Sequence, residues 1–197
     1  MELVIASTNL HKIREFRSIL KPLANLDLFS LLDFPQYRPL EEIGKTFEEI
    51  AVQKAVHAAR ELNHWVIADD SGIIVPALQG SPGVLSARYA GVGATDRDNR
   101  QKLLQEMRDL SGDKRYAYFQ CCVAVASPEG LKKHAVGSCE GTILTEERGS
   151  LGFGYDPIFV KYEYSKSFAE LDEDIKNKIS HRRKALDKVM LFLEALA

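Results

Sequence analysis

No stretch of this chain is apolar for the roughly twenty residues that a membrane-spanning helix needs, so no membrane partner is expected. Charge of one sign is also lacking. Lys and Arg number 26 against 28 Asp and Glu, a net charge of −2, so no sequence-independent grip on a nucleic acid polymer is expected. There are 3 cysteines, Cys121, Cys122 and Cys139, and their spacing fits no zinc pattern. Adjacent Cys121 and Cys122 would face opposite sides of a strand, and all three read as buried thiols of a reducing compartment. The first residues carry no basic segment followed by an apolar one, so no secretory leader is expected and the location predicted is cytoplasmic. Repeats, low-complexity tracts and linkers are absent, which predicts a single domain over residues 1–197. What is present is an ordinary globular composition, 45% hydrophobic and 27% charged.

The pattern of elements is mixed α/β. Leu3 to Ala6 reads as a strand, followed by a helix capped by Asn9 with Ile13, Phe16 and Leu20 on its apolar stripe and Pro22 beyond its end. A second strand is expected over Leu26 to Leu32. Thr46 and Glu49 have capping-box spacing ahead of a helix running to about Leu62, with Ala51, Ala55, Ala58 and Leu62 on its inner face. Trp65 to Ala68 reads as a buried strand ending in an Asp69-Asp70-Ser71-Gly72 turn, with another short strand at Ile73 to Val75. Thr95 is expected to cap a helix carrying Leu103, Leu104 and Met107. Arg115 to Ala126 and Leu131 to Leu144 form a predicted hairpin through Ser127-Pro128-Glu129-Gly130. A glycine-rich loop covers Gly149 to Pro157, and a last helix begins near Ser180.

Several segments could carry chemistry. Asp69 and Asp70 repel one another, and burying them calls for a counter-charge. A divalent cation held by oxygen ligands supplies one, and Mg²⁺ is satisfied by one or two carboxylates plus substrate phosphates; a solvated turn is the plainer alternative. Ser7-Thr8-Asn9-Leu10-His11-Lys12 leads a strand into a helix N-terminus, where free N–H groups attract anions. It lacks the spacing of a P-loop. Lys12 sits at the unfavourable end of the helix dipole, which a bound phosphate would reverse. Lys54 lies on the helix after Thr46, and Glu41 and Glu42 precede that helix. In Gly152-Phe153-Gly154-Tyr155-Asp156-Pro157 two glycines free the backbone, and an aromatic could stack on a flat base or merely plug the loop. Ser180-His181-Arg182-Arg183-Lys184 places cations at a helix start, inviting an anionic or hydrogen-bond-accepting partner.

Taken together these segments resemble the Ham1-like family of inosine triphosphate pyrophosphatases, which act on non-canonical purine nucleotides. The matching stretches are Ala6 to Lys12 with Glu15, Thr46 to Ala55, Ala68 to Gly72, Pro82-Gly83 with Ser86 to Tyr89, Gly152 to Phe159, and Ser180 to Arg182 with Ala185-Leu186. They follow the family's order over nearly the whole chain. The resemblance implies a long mixed β-sheet flanked by helices, two lobes with an active-site cleft between them, and a homodimer. The implied reaction takes a purine nucleoside triphosphate (ITP, dITP or XTP) and water to the monophosphate and pyrophosphate with Mg²⁺, cleaning the nucleotide pool.

Roles follow by position. Ser7, Thr8, Asn9, Leu10, His11 and Lys12 match the triphosphate-binding turn. Glu42 and Asp70 match the metal-binding carboxylates, with Asp70 the proton acceptor and Asp69 assisting. Lys54 matches a lysine near the phosphates and Ser71 a substrate contact. Phe153, Gly154, Tyr155 and Asp156 match the base-binding loop, and Lys176, His181 and Arg182 match base-recognition residues. Arg182, Lys176 or backbone N–H groups near His181 are expected to meet the six-position oxygen of hypoxanthine or xanthine. Ile50 replaces a frequent asparagine, and Thr8 and His11 replace frequent glycines. A Maf-like pyrophosphatase and a nucleotide-sensing module are the rival readings. The Gly-Phe-Gly-Tyr-Asp-Pro loop and Ser-His-Arg favour the purine enzyme over the first; the presence of Glu42, Lys54, Asp69 and Asp70 disfavours the second.

Overall fold

The computed structural model describes residues 1–196. Among them, strands β1 (Glu2–Ile5), β2 (Asp27–Ser30), β3 (Trp65–Ile74), β4 (Tyr116–Ser127), β5 (Gly130–Ile143) and β6 (Phe159–Lys161) form one sheet in the order β2-β1-β3-β4-β5-β6. β1 runs parallel to β2 and β3, while β5 and β6 are antiparallel, so the sheet is mixed as expected. Helices are α1 (Leu10–Leu20), α2 (Phe47–Leu62), α3 (Asp96–Glu106), α4 (Glu173–Ile179) and α5 (His181–Leu196).

The chain divides into two compact units. The first comprises Met1–Asp70, Cys121–Gly137 and His181–Ala197; the second comprises Ser71–Gln120 and Ser138–Ser180. In the first unit, the apolar stripe of α1 (Ile13, Phe16, Ile19, Leu20) packs with Leu3, Ile5 and Ile67 of the strands and Leu186, Val189 and Leu193 of α5. These spacings of three and four residues are what an amphipathic helix needs to bury one face. In the second unit Phe119, Phe159 and Phe168 form the aromatic centre, with Phe119 and Phe159 centroids 4.8 Å apart, edge to face.

Local signals in the sequence act as expected at the helix starts. Asn9 Oδ1 accepts from the N–H groups of His11 and Lys12 at 2.9 and 3.3 Å. Thr95 and Asp98 form a reciprocal capping box on α3. At α2, Thr46 accepts from Glu49 N–H, but the Glu49 carboxylate reaches Lys45 N–H at 2.7 Å rather than that of Thr46.

One expectation needs correction. β3 does not turn at Asp69-Asp70-Ser71-Gly72 but runs unbroken from Trp65 to Ile74. Gly72 is a glycine for close approach: a Cβ there would lie 2.3 Å from Ser86 Oγ and 2.6 Å from Gly83 O. Ser86 Oγ accepts from Ile73 N–H at 3.0 Å and donates to Gly83 O at 2.6 Å, so it binds the strand at that point. The last helix, α5, begins at His181 as expected, and a separate short helix, α4, precedes it. All three cysteines are buried, as expected, and none of them forms a disulfide.

Candidate active site

In the first unit, β1 and β3 are adjacent and parallel, which brings the turn after β1 beside the Asp69 end of β3. Lys12, in the first turn of α1, puts Nζ 3.1 Å from Asp69. Arg182, in the first turn of α5, donates from Nη2 and Nε to Asp69 Oδ2 at 2.8 and 3.3 Å. Its Nη1 donates to Glu15 on α1. Arg182 and Asp69 are 1% and 2% exposed, so this is a buried ion-pair chain running from Lys12 through Asp69 and Arg182 to Glu15. Burial pushes the Asp69 carboxyl up, but Lys12, Arg182 and Lys54 outweigh it and hold the group far below the usual carboxylate range. The Cys121 thiol touches the same oxygen at 3.8 Å. Burial first, then the Asp69 charge, push that thiol well up, so it stays neutral and inert.

Asp70 is the next residue on the strand, and its side chain leaves by the opposite face. It is half-buried, and its carboxylate makes no hydrogen bond among the described residues. Its pKa is pushed up to about 6, first by burial; Asp69 and Glu42 add to the rise, and Lys12 and Lys54 oppose it. Lys54 Nζ lies 3.0 Å from Glu42 Oε1. Burial lowers the Lys54 pKa, but Asp69, Glu42 and Asp70 together raise it above the ordinary value. In this cluster Lys12, Lys54 and Arg182 face Glu15, Glu42, Asp69 and Asp70, so the carboxylates exceed the cations by one charge.

Among the described residues no group of three or more His, Cys, Asp or Glu side chains is arranged to hold a metal ion by itself. Glu42 and Asp70 nonetheless offer hard oxygen donors in a cluster short of positive charge. That donor set suits a Mg²⁺ completed by phosphate and water oxygens. The turn after β1 is solvent-facing at Thr8, Asn9, Leu10 and His11, with Ser7 half-buried. Its N-terminal N–H groups are partly spoken for, since Asn9 takes those of His11 and Lys12 and Ser7 Oγ takes that of Asn9 at 3.1 Å.

In the second unit, the loop after β5 is built on two glycines at positive φ, Gly152 at +74° and Gly154 at +58°. A Cβ on Gly152 would lie 2.2 Å from Asp156 Oδ2. That oxygen accepts from Phe153 N–H at 2.9 Å and pairs with Lys176 Nζ at 2.5 Å. Lys176 also sits over the Phe153 ring, 4.6 Å from its centroid. Gly154 donates its N–H to Asp96 Oδ2 at 2.7 Å and accepts from Arg100 Nη1 at 2.8 Å. Tyr155 is buried, and its hydroxyl donates to Ser86 O at 2.9 Å. The loop thus leaves Phe153 and Gly154 half-buried, while Tyr155, Asp156 and Lys176 are buried and serve each other.

The family model described as the Ham1 family matches residues 3–192. The chain belongs to the Ham1 family. A relative from Protochlamydia amoebophila, a dITP/XTP pyrophosphatase, is 56% identical over 197 residues, covering 100% of this chain and 99% of that protein. The solved structure of the Staphylococcus aureus Ham1 protein superposes with a TM-score of 0.86 at 40% identity, with both chains covered in full at 100%. A HAM1 protein from Coxiella burnetii gives 0.88 at 39% identity over 98% of each chain.

Within this Ham1-family chain, Lys12, Glu42, Lys54, Asp69, Asp70 and Arg182 fall in one unit, and Phe153, Gly154, Tyr155, Asp156 and Lys176 in the other. Ser71 follows Asp70 on β3 and is half-buried; His181 is buried at the start of α5. The Arg182 guanidinium lies against Asp69 and Glu15, and the Lys176 ammonium against Asp156. Glu15, Asp96 and Arg100 were given no role by the sequence. Glu15 carried a signal: it precedes Phe16 and lies four before Ile19, on the edge of the buried stripe of α1, where a lone carboxylate requires a partner. Asp96 and Arg100 carried none, because an acid and a base four apart on a helix read first as a surface pair.

Proposed function

We propose that this chain hydrolyses non-canonical purine nucleoside triphosphates, dITP, ITP and XTP, to the nucleoside monophosphate and pyrophosphate. The observation that carries the reading is Asp70. It is a half-buried carboxylate pushed to about 6 inside a cluster of two lysines and further acids, on a chain 56% identical over its full length to a dITP/XTP pyrophosphatase. A carboxylate with that proton affinity is ionised at neutral pH and basic enough to take a proton from water as that water attacks phosphorus. The P–O bond between the α-phosphorus and the bridging oxygen breaks, pyrophosphate leaves with the bond's electrons, and the attacking water becomes the new phosphate oxygen.

Lys12 and Lys54 are placed to meet the negative charge of the polyphosphate and of the leaving pyrophosphate. Asp69 does not share the base's work in this arrangement. Its charge is committed to Lys12 and Arg182, and it fixes where Lys12 points. Glu42 and Asp70 are the residues that would hold Mg²⁺. Bound there, Mg²⁺ would neutralise phosphate charge and supply the missing positive charge of the cluster. Phe153, half-buried on its loop, supports stacking on a purine, and the Lys176 ammonium lies over its ring, 4.6 Å from the centroid.

A homodimer and a cytoplasmic location go with this reading as proposals. No helix among the described residues is long and apolar enough to cross a membrane. The test of function is product analysis. ITP, dITP, XTP and ATP are supplied with Mg²⁺, and pyrophosphate and orthophosphate are assayed separately. The reading expects one pyrophosphate per monophosphate from the first three, and little turnover of ATP. Orthophosphate released through the diphosphate would refute it.

A further inference from the structure

The glycine-rich loop that carries Phe153 is gripped from outside. Gly154 has both of its backbone polar groups taken by one helix: its N–H by Asp96 at 2.7 Å and its C=O by Arg100 at 2.8 Å. Asp96 and Arg100 are four residues apart on α3, one turn along one face with Cβ atoms about 5–6 Å apart, and so present an acceptor and a donor side by side. Arg100 is itself oriented by Glu147, to which Nη2 donates at 3.0 Å. An Asp at the start of a helix has an ordinary reason to be there, the helix dipole. That reason does not extend to Arg100, a mid-helix side chain only 12% exposed whose Nη1 donates to a carbonyl 54 residues away in sequence.

The loop needs such a grip. Glycines flank Phe153 on both sides, and each brings the largest backbone entropy of any residue. Other tethers act on neighbouring residues: Asp156 on Phe153 N–H, Lys176 over the Phe153 ring, Tyr155 on Ser86, and Ala169 O on the N–H groups of Ser150 and Leu151. Gly154 itself has open space where a Cβ would sit, so sterics do not confine it.

We propose that Asp96 and Arg100 are positioning residues that clamp the backbone of Gly154 and so hold the Phe153 loop in the shape that receives the purine base. The role rests on the pyrophosphatase reading above; the clamp itself does not.

Two measurements on the full chain separate these. The first is amide hydrogen exchange of the segment 148–158 in substrate-free protein; the second is steady-state kinetics with ITP and Mg²⁺. Asp96→Ala and Arg100→Ala each remove one arm. Both should speed exchange at Gly154 and raise KM for ITP about ten-fold, about 1.4 kcal/mol of binding, with kcat within about two-fold of the unmodified chain. Asp96→Asn keeps an acceptor oxygen and should restore both readouts. Thr95→Ala uncaps α3 without touching Gly154 and should reproduce neither. The proposal is overturned if exchange is unchanged in both alanine variants, if it rises while KM stays put, or if Thr95→Ala matches Asp96→Ala. If the unmodified chain fails to turn over ITP, the functional reading falls, and exchange at Gly154 alone decides the clamp.

Discussion

Replacing Arg182 by alanine should cost the protein stability before it costs anything else. The guanidinium is 1% exposed, donates to Asp69 through two nitrogens and to Glu15 through a third, and none of this faces bulk water. Removing it leaves two buried carboxylates with less compensation and a void where the arginine stem packed. Breaking a buried pair from one side costs about 3–5 kcal/mol. Lys12 keeps its hold on Asp69 at 3.1 Å, which puts the expectation near the lower figure, about 3 kcal/mol. For a chain of this size each kcal/mol lowers Tm by roughly 2–4 °C, so the loss should be about 6–12 °C. Arg182→Lys keeps the charge but not the planar fork and should fall between.

The pH dependence has a definite sign. Burial raises the Asp69 pKa, but Lys12, Arg182 and Lys54 lower it more, so the folded value lies below the unfolded one. Such a group stabilises the fold above its unfolded pKa, and that contribution is lost as pH falls through the folded pKa. Arg182→Ala removes one of the depressing charges, so the contribution should be lost at a higher pH and the acid-unfolding midpoint should move up. Thermal scans at neutral pH and an acid titration followed by circular dichroism check both. A Tm loss under about 2 °C would refute the claim that this ion-pair chain is structural. A selective loss of preference for ITP over ATP, with Tm unchanged, would return Arg182 to the base-reading role expected of it from sequence.

Three further outcomes follow from the same geometry. Asp70→Asn keeps the shape but removes the proton acceptor, and turnover should fall by about 10²-fold or more with Tm within a few degrees; near-normal kcat would take Asp70 out of the mechanism. In the unmodified chain kcat/KM should rise with pH through about 6, because Asp70 must lose its proton to act as base, and raising the Mg²⁺ concentration should move that limb to lower pH. Gly152→Ala puts a Cβ 2.2 Å from Asp156 Oδ2 at a φ of +74°, so KM for ITP should rise sharply with kcat less affected; an unchanged KM would show that the loop does not meet the base.

Much of the fold was legible because its signals are local. The Asn9, Thr46 and Thr95 caps, the stripe of α1 and the hairpin turn at Pro128-Glu129 each depend on residues within a few positions of one another. The run from Asp69 to Gly72 failed for the opposite reason. Asp-Asp-Ser-Gly has the composition of a turn, and only distant residues decide otherwise: Lys12, 57 positions earlier, and Arg182, 113 positions later, supply the charge that lets Asp69 stay buried in a strand. The short elements α4 and β6 were missed because seven and three residues cannot carry a full hydrophobic period.

The pair Asp69-Asp70 shows what sequence identifies and what it leaves open. Two identical side chains in adjacent positions have the same local preferences, so nothing nearby in the chain assigns them different work. The strand does, by sending successive side chains to opposite faces. Asp69 enters a buried setting with Lys12 and Arg182 against it, and its charge is fixed. Asp70 enters a half-buried one where burial and two neighbouring carboxylates outweigh two lysines, and its charge can change near neutral pH. Environments that push two like groups apart in proton affinity are how a site separates a fixed charge from a working base. In the proposed mechanism the division of labour between these aspartates is therefore a property of the strand's pleat and of the helix starts around it, which is why it emerges only once α1 and α5 are placed beside β3.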